Sequence, residues 1–546
     1  MTKADVYCST RLTESYWPAD TLSPLVDMTL VQALREVAAE VPDRFALVEG
    51  IEDQAKRRRW TYAQLLKDVE RVASAMLTKF KPGERVALWA PNVVEWEIIQ
   101  LGCAMAGLIL VTVNAALRGK ELDYLLRQSE SAGLFLTEEY RGHNMLETAT
   151  KMRNNLPHLR EIIDISDLEQ FMNSTDKLAE FPEVKPNDPC MIMYTSGTTG
   201  YPKGAVLYHK GIINGTNFMA NRAGMQVGGV WVNAMPKFHM GGAGFAALGT
   251  LQQRGTHVLV QAFEPALMLN LFESEKGTFA LLVPTMVEAI LDHPDFAKYN
   301  TSTLENILSG ASKVEASLVR RVKSQLGCNI TIVFGQTEMH GGLTQTHRDD
   351  SPEDQADTIG QPYPQSEVKI ADPETGRILP LGETGEICCR GYQTMLEYFN
   401  MPAETAMTIK ADGWLHSGDL GSMDERGFLK ITGRIKDMII RGSENIYPGE
   451  IEALLQEHPK VAKAAVIGVP DEYWGEQVAA FIIPSSPDNP PTATEMDEYC
   501  KENIARFKRP RVWYFVEEFP TTAAGKLQKY LLRNVAEKGE FKAETE

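Results

Sequence analysis

Tyr194-Thr195-Ser196-Gly197-Thr198-Thr199-Gly200-Tyr201-Pro202-Lys203-Gly204 is the stretch on which the reading of this chain turns. Its glycines let the backbone turn tightly and present N–H groups to phosphate oxygens. Hydroxyls at Thr195, Ser196, Thr198 and Thr199 add donors, and Lys203 adds positive charge. It is not a Walker A loop, because Gly204 follows the lysine where Ser or Thr is required. CMIMYT before it and GAVLYH after it both read as strands, so the loop joins two strands.

Outward from the loop, helical and strand patterns alternate. Leu30, Leu34, Val37 and Val41 keep helical spacing after Thr29, a plausible N-cap. RVALWAPN reads as a strand, and VEWEIIQLGCAMAGLILV as a buried helix feeding a strand. THVLVQAF, TFALLVPT and NITIVFGQ are further strands, with MVEAILDH a helix between them. The alternation predicts α/β architecture with parallel sheet. Near residue 365 the character changes: SEVKIADPETGRILPLGETGEICCRG reads as short antiparallel strands with Asp-Pro and Gly turns. After about residue 435 a smaller α/β unit begins, with GEIEALLQEHP and EMDEYCKENIARF helical and AKAAVIGV and QVAAFIIP extended. The expected domains are therefore 1–435 and 436–546.

Composition bounds the function. The 546 residues carry a net charge of −18, which disfavours general binding to a phosphate backbone and argues against nucleic acid as a partner. Seven cysteines without paired spacing argue against a disulfide framework or zinc site, and Cys388-Cys389 in GEICCRG reads as core packing. No signal peptide, membrane-length apolar run or lipidation motif is apparent, so a cytoplasmic location is expected. Two basic clusters, Lys56 to Arg59 and Arg506 to Arg511, read as solvated faces or as contacts to an anionic cofactor or lipid headgroups. Peripheral membrane contact and a homodimer stay open. GAGFAA at 242–247 fits a dinucleotide pattern but follows no clear strand, and no G-x-S-x-G nucleophile motif is present.

The loop at 194–204 resembles the signature of the acyl-adenylate-forming superfamily: acyl-CoA synthetases, firefly luciferase and peptide-synthetase adenylation domains. Other motifs in matching order extend the resemblance over more than 330 residues. They are Ser309-Gly310-Ala311, Phe334-Gly335-Gln336-Thr337-Glu338, Trp414-Leu415-His416-Ser417-Gly418-Asp419, Gly433-Arg434-Ile435-Lys436-Asp437, Gly442-Ser443-Glu444-Asn445-Ile446 and Thr521-Thr522-Ala523-Ala524-Gly525-Lys526. The resemblance implies a large N-terminal region of two α/β subdomains plus a distorted antiparallel β-barrel. A small mobile C-terminal α/β domain would follow, with the active site in the cleft between them.

It also implies an ATP-dependent ligase of lipid metabolism that joins a carboxylic acid to AMP, expels pyrophosphate and passes the acyl group to coenzyme A. In those roles the loop Thr195, Ser196, Gly197, Thr198, Thr199, Gly200 and Lys203 would hold phosphates. Ser309, Gly310, Ala311, Phe334 and Gly335 would surround adenine. Asp419 would accept from the ribose hydroxyls, with Arg434 donating nearby. Thr337 would bind the α-phosphate and Glu338 would ligate Mg²⁺, a hard cation that favours oxygen. Lys526 is the expected catalytic cation, bridging carboxylate and α-phosphate as like charges approach. Lys436 occupies the hinge, and Gly442, Ser443 and Glu444 would flank the thiol channel; the family often has a second glycine where Ser443 stands.

The acid itself is narrowed by Pro236-Lys237-Phe238-His239-Met240-Gly241, which resembles the segment lining the acyl site. Amino-acid-activating members usually carry Asp where His239 stands. Acetate-activating members carry Trp where Gly335 stands. Gly241, Gly242, Gly244, Gly341 and Gly342 imply space. A medium-to-long or bulky, largely apolar acid is expected, fatty or ring-bearing. Transfer to a separate carrier protein, a luciferase-like oxygenase and a non-catalytic nucleotide sensor are the competing readings. Retention of Lys203, Glu338, Asp419, Arg434 and Lys526 together argues against the sensor.

Overall fold

The computed structural model describes residues 11–175, 178–195, 202–310, 314–441, 444–471, 473–521, 527–539 and 544–545. The chain divides into two compact units. The larger comprises Trp17–Val368 and Cys389–His416; the other comprises Met1–Tyr16, Lys369–Cys388 and Ser417–Glu546.

Among the described residues, two large sheets and a short hairpin, Glu139–Tyr140 with His143–Asn144, lie in the larger unit. In the first, parallel strands Pro189–Thr195, Ile109–Val113, Arg85–Trp89, Gly133–Leu136 and Glu161–Asp164 lie in that order. Lys203–Tyr208 and Glu397–Tyr398 extend its other edge antiparallel. The second sheet has nine strands. Its parallel centre runs Asn329–Phe334, Asn306–Gly310, Phe279–Leu281, Val230–Asn233, Thr256–Leu259 and Phe45–Glu49. Short antiparallel strands flank it on both edges.

Local sequence explains the elements. Thr29 caps the helix Leu30–Glu40 through a capping box with Gln32, and Leu30, Leu34 and Val37 form its buried face. Val41 falls at the C-cap of that helix. Trp89, Trp96, Trp231, Phe272 and Phe279 are fully buried in the larger unit. Each such side chain contributes about 1.5–3 kcal/mol by burial.

The run expected after residue 365 forms strands Ser366–Ala371 and Gly385–Gly391, neighbours in a five-stranded sheet, with an antiparallel bridge between Ala371 and Ile378. Strands Leu415–Met423 and Leu429–Arg434 pair antiparallel at one end of that sheet, and Asp372 caps a turn by accepting from Glu374 and Thr375. The described pairings of this sheet form an open path from Tyr16–Trp17 to Leu429–Arg434. A six-stranded sheet follows, dominated by the long hairpin Val461–Asp471 and Gly475–Pro484. Helices Pro448–Gln456 and Ala493–Asn503 bury Ile451, Leu455, Met496 and Cys500. Among the described residues no helix is long and apolar enough to cross a membrane. Cys388 and Cys389 are fully buried within a strand and form no disulfide among the described residues.

Candidate active site

In the larger unit, Thr195 and Lys203 are register partners at the open end of a hairpin, so the signature loop does join two strands. The Thr195 hydroxyl donates to the Lys203 carbonyl at 3.5 Å. Ser196, Gly197, Thr198, Thr199 and Gly200 lie outside the described residues. Gly204 is required by close packing: a Cβ there would lie 2.7 Å from Ile192.

Ser309-Gly310 and Phe334-Gly335 sit at the C-terminal ends of adjacent parallel strands, with Gly310 in register with Val333. Open α/β sheets bind ligands at such strand ends. The Ser309 hydroxyl is buried without a hydrogen-bond partner among the described residues. Ala311 lies outside them.

Thr337 and Glu338 begin a single 3-10 turn, and both are half-buried. Glu338 Oε1 accepts from the Tyr398 phenol at 2.7 Å. Lys203 Nζ stands 4.8 Å from the centroid of that same ring. The structure thus gathers two of the expected residues, from different sheets, around a tyrosine that sequence reasoning missed. Glu338 Oε2 has no partner among the described residues, so one carboxylate oxygen is left for a hard cation, as Mg²⁺ requires.

His340, two residues on, was also missed. It takes φ 51° and is fully buried. Tyr208 N–H donates to its Nε2 at 3.2 Å, so Nδ1 carries the proton toward Gln393 O at 2.8 Å. Burial pushes its imidazole down to about 4.

Met235 to Gly241 enters a π-helical stretch, Gly241–Ala246, of a kind common at functional sites. This replaces any dinucleotide turn at 242–247. Asn92 donates to Met235 O and accepts from Lys237 N, while Thr112 donates to Phe238 O. Phe238, His239 and Gly241 are half-buried and Met240 is buried. Lys237 is fully buried; its Nζ lies 2.7 Å from Glu97 Oε2, and His257 Nδ1 reaches the same oxygen at 3.2 Å. Burial opposes charge on Glu97, but Lys237 and His257 outweigh it and hold the carboxyl at about 2.

The expectation that small residues signal space needs correcting. A Cβ at Gly335 would collide with Gly341 O and lie 2.6 Å from Gly342 Cα. One at Gly242 would collide with Pro236 O, and one at Gly342 would lie 2.7 Å from the Tyr363 ring. Gly335 and Gly242 admit neighbouring backbone, and Gly342 admits the Tyr363 ring. At Gly241 the nearest atom is Met235 Cε at 3.5 Å, so there the small residue does leave room.

In the other unit, Asp419 and Arg434 are register partners joined by a 2.8 Å ion pair, with the carboxylate nearly sealed. Gly418, at φ 71°, donates to Glu386 Oε1 at 2.9 Å, and the Ser417 hydroxyl accepts from Asp419 N. Lys436 is exposed in the turn Ile435–Asp437. Thr521 and Leu527 meet as an antiparallel bridge, and Lys526 between them lies outside the described residues. So do Gly442, Ser443 and the Glu444 side chain.

The two basic clusters differ. Arg57 and Arg59 pair with Glu275, Arg58 with Glu49 and Glu95, and Lys56 with Asp53. That cluster is internally neutralised. In the second, Lys508 and Arg509 pair with Glu450 and Asp497. Burial, then Arg511 and Arg506, push the Arg441 guanidinium down, and it stacks 4.4 Å from the Trp474 ring. Trp474 and Tyr473 are exposed.

Residues 34–399 match the AMP-binding enzyme family, and residues 450–526 match the AMP-binding enzyme C-terminal domain. YngI of Bacillus subtilis (strain 168), which carries the name acyl-CoA synthetase, is 36% identical over 94% of this chain and 98% of its own. The human medium-chain acyl-CoA ligase ACSF2, mitochondrial, is 34% identical over 96% and 90%. ATP-bound MatB from Rhodopseudomonas palustris superposes with a TM-score of 0.83 at 27% identity, covering 93% of this chain and 99% of that one. The anthranilate CoA ligase AuaEII in complex with anthranoyl-AMP gives 0.82 at 27%, covering 95% and 99%. With motifs, strand order and full-length relatives in agreement, the chain belongs to the AMP-binding enzyme family and is an AMP-forming acid–thiol ligase, an ATP-dependent acyl-CoA synthetase.

Proposed function

We propose that this ligase activates a medium-to-long-chain or bulky, largely apolar carboxylic acid and transfers it to free coenzyme A. The observation that carries the reading is the Met235–Gly241 segment. Met235 and Phe238 are half-buried, while Lys237 is buried and neutralised by Glu97. Beside the half-buried His239, that segment offers hydrocarbon and no lysine ammonium, which suits a largely apolar acid. The ACSF2 relatives are named medium-chain ligases, which points the same way. The relatives also disfavour a carrier protein as acceptor.

In this reading Phe334 stacks on adenine beside Ser309, Gly310 and Ala311. Asp419 exchanges its Arg434 contact for ribose hydroxyls. Thr195 to Gly200 and Lys203 hold phosphates, and Thr337 holds the α-phosphate oxygen. Lys526 offsets repulsion between the two anions as they meet. Glu338 holds Mg²⁺, which when bound neutralises phosphate charge. Lys436 is the hinge of a C-terminal domain beginning at residue 436, and Gly442 to Glu444 flank the thiol path. Arg441, Arg506 and Arg511, beside Trp474 and Tyr473, suit an anionic cofactor carrying an aromatic base.

A cytoplasmic location suits six buried, free cysteines among the described residues, whereas the ACSF2 relatives are named mitochondrial; cell fractionation separates the two.

The test is pyrophosphate release with MgATP over acids from acetate to C16, with cinnamates and arylpropionates, with and without coenzyme A. Rapid turnover with C6–C16 or ring-bearing acids only when coenzyme A is present is the expected result. Preference for acetate, a dicarboxylate or an amino acid would refute the acyl-site reading. A single burst that coenzyme A cannot restart would refute the acceptor.

A further inference from the structure

Lys203 and Glu338 carry opposite charges and share one neighbour, the ring of Tyr398, yet they form no ion pair with each other. Among the described residues neither has any ion-pair partner. An ammonium and a carboxylate this close to a common side chain would ordinarily neutralise one another. Tyr398 instead receives each at the part of its surface that suits it. The cation lies over the ring, whose quadrupole is negative on its faces. The anion meets the O–H at the rim, which donates to Glu338 Oε1 at 2.7 Å.

Tyr398 is only 4% exposed, and its place is set by the backbones of both partners. Ala205 is its register partner in the strand that begins at Lys203. Phe399 N donates to Gly204 O at 2.8 Å, and Met395 N donates to Glu338 O at 2.9 Å. Tyr398 N is itself tied to the Thr405 hydroxyl at 2.9 Å. The short segment Met395–Phe399 is therefore laced between the signature-loop strand and the Glu338 turn.

We propose that Tyr398 is a positioning residue that keeps Lys203 and Glu338 apart. Its hydroxyl occupies Oε1 of Glu338 and leaves Oε2 for a divalent cation, while its ring holds the Lys203 ammonium for phosphate. The proposal rests on the reading of Glu338 as the cation ligand and Lys203 as a phosphate contact. It adds that one uncharged side chain sets both.

Tyr398→Phe keeps the ring and removes the donor; Tyr398→Leu removes both. Mn²⁺ is the probe. Its affinity for the complex of enzyme with a non-hydrolysable ATP analogue is read by electron paramagnetic resonance. Nucleotide affinity without metal is read by calorimetry in EDTA, and thermal melting reports folding. Tyr398→Phe should weaken Mn²⁺ binding about 10-fold, the range seen when a group orienting a metal ligand is lost. Its metal-free nucleotide affinity should move less than about 3-fold. Tyr398→Leu should weaken metal-free nucleotide binding as well, through the lost cation–π contact. If Glu338→Gln loses Mn²⁺ affinity but a folded Tyr398→Phe keeps it or gains it, the tyrosine proposal fails while the Glu338 reading stands. If Glu338→Gln keeps full Mn²⁺ affinity, that reading and the proposal fall together. Should Tyr398→Leu not fold, Tyr398→Phe alone decides.

Discussion

Lys203 and Lys237 are the two lysines that border the expected ligand sites of the larger unit, and they are held in opposite ways. Lys237 is sealed, its charge cancelled by a buried carboxylate 2.7 Å away. Lys203 is half-buried on an aromatic face, with no carboxylate partner among the described residues. A buried pair gives up solvation of both ions and returns little beyond geometry. A cation on a ring keeps its charge for an incoming anion. The first lysine is locked in a buried pair; the second, in the proposed reading, is held for an incoming phosphate.

The largest effect expected from breaking this contrast is at Glu97. Glu97→Ala leaves an uncompensated buried ammonium and should destabilise the larger unit by about 3–5 kcal/mol, read as a drop in Tm. Glu97→Leu with Lys237→Met should recover most of the loss. A single mutant as stable as the parent would show the pair to be idle.

Next come the cations assigned to chemistry. Lys526→Ala should cut adenylation about 10²–10³-fold, the range for a lost transition-state contact. Thioester formation from supplied acyl-AMP should change only a few-fold. Equal loss in both half-reactions contradicts the role. Lys203→Ala should reduce kcat/KM for ATP about 100-fold with Tm nearly unchanged. A large Tm shift there would put Lys203 with Lys237.

The smallest effect concerns pH. Burial pushes His209 and His340 down to about 4 from an ordinary 6.5. The unfolded chain therefore binds protons that the folded chain refuses. Stability is whole above pH 6.5 and falls as pH drops toward 4, by about 2 kcal/mol per histidine at pH 5. Thermal melts from pH 7.5 to 5 should follow that slope, and His340→Gln should flatten it. A flat parent profile would mean these imidazoles are protonated in the fold.

Much of this was legible from local pattern. Thr29 and the spacing of Leu30, Leu34 and Val37 mark a helix, because capping and amphipathicity are written within a few residues. The strands either side of the signature loop, and the strands and turns after residue 365, follow from apolar runs and turn residues. Asp419 and Arg434 come from motifs 15 positions apart and fall opposite each other in register. Tyr398 and the Lys237–Glu97 pair were not legible, since their partners lie 60 and 140 residues away and no periodicity records such contacts. Gly335 misled for a related reason. A glycine is the same letter whether it leaves a void or admits another backbone, and only the position of Gly341 O decides. The basic run at Lys56 likewise looked available, and its counter-charges sit as far off as Glu275.

The neighbouring glycines of the acyl segment have a bearing on how this enzyme can diversify. Residue 242 is closed to any side chain by the Pro236 carbonyl, whereas residue 241 meets only Met235 at ordinary contact distance. If this segment lines the acyl site, as proposed, the inexpensive step toward a shorter acid is enlargement at 241. The adjacent position is frozen by the turn itself. In the proposed reading, pocket length is tuned at 241 while 242 stays fixed by the Pro236 carbonyl.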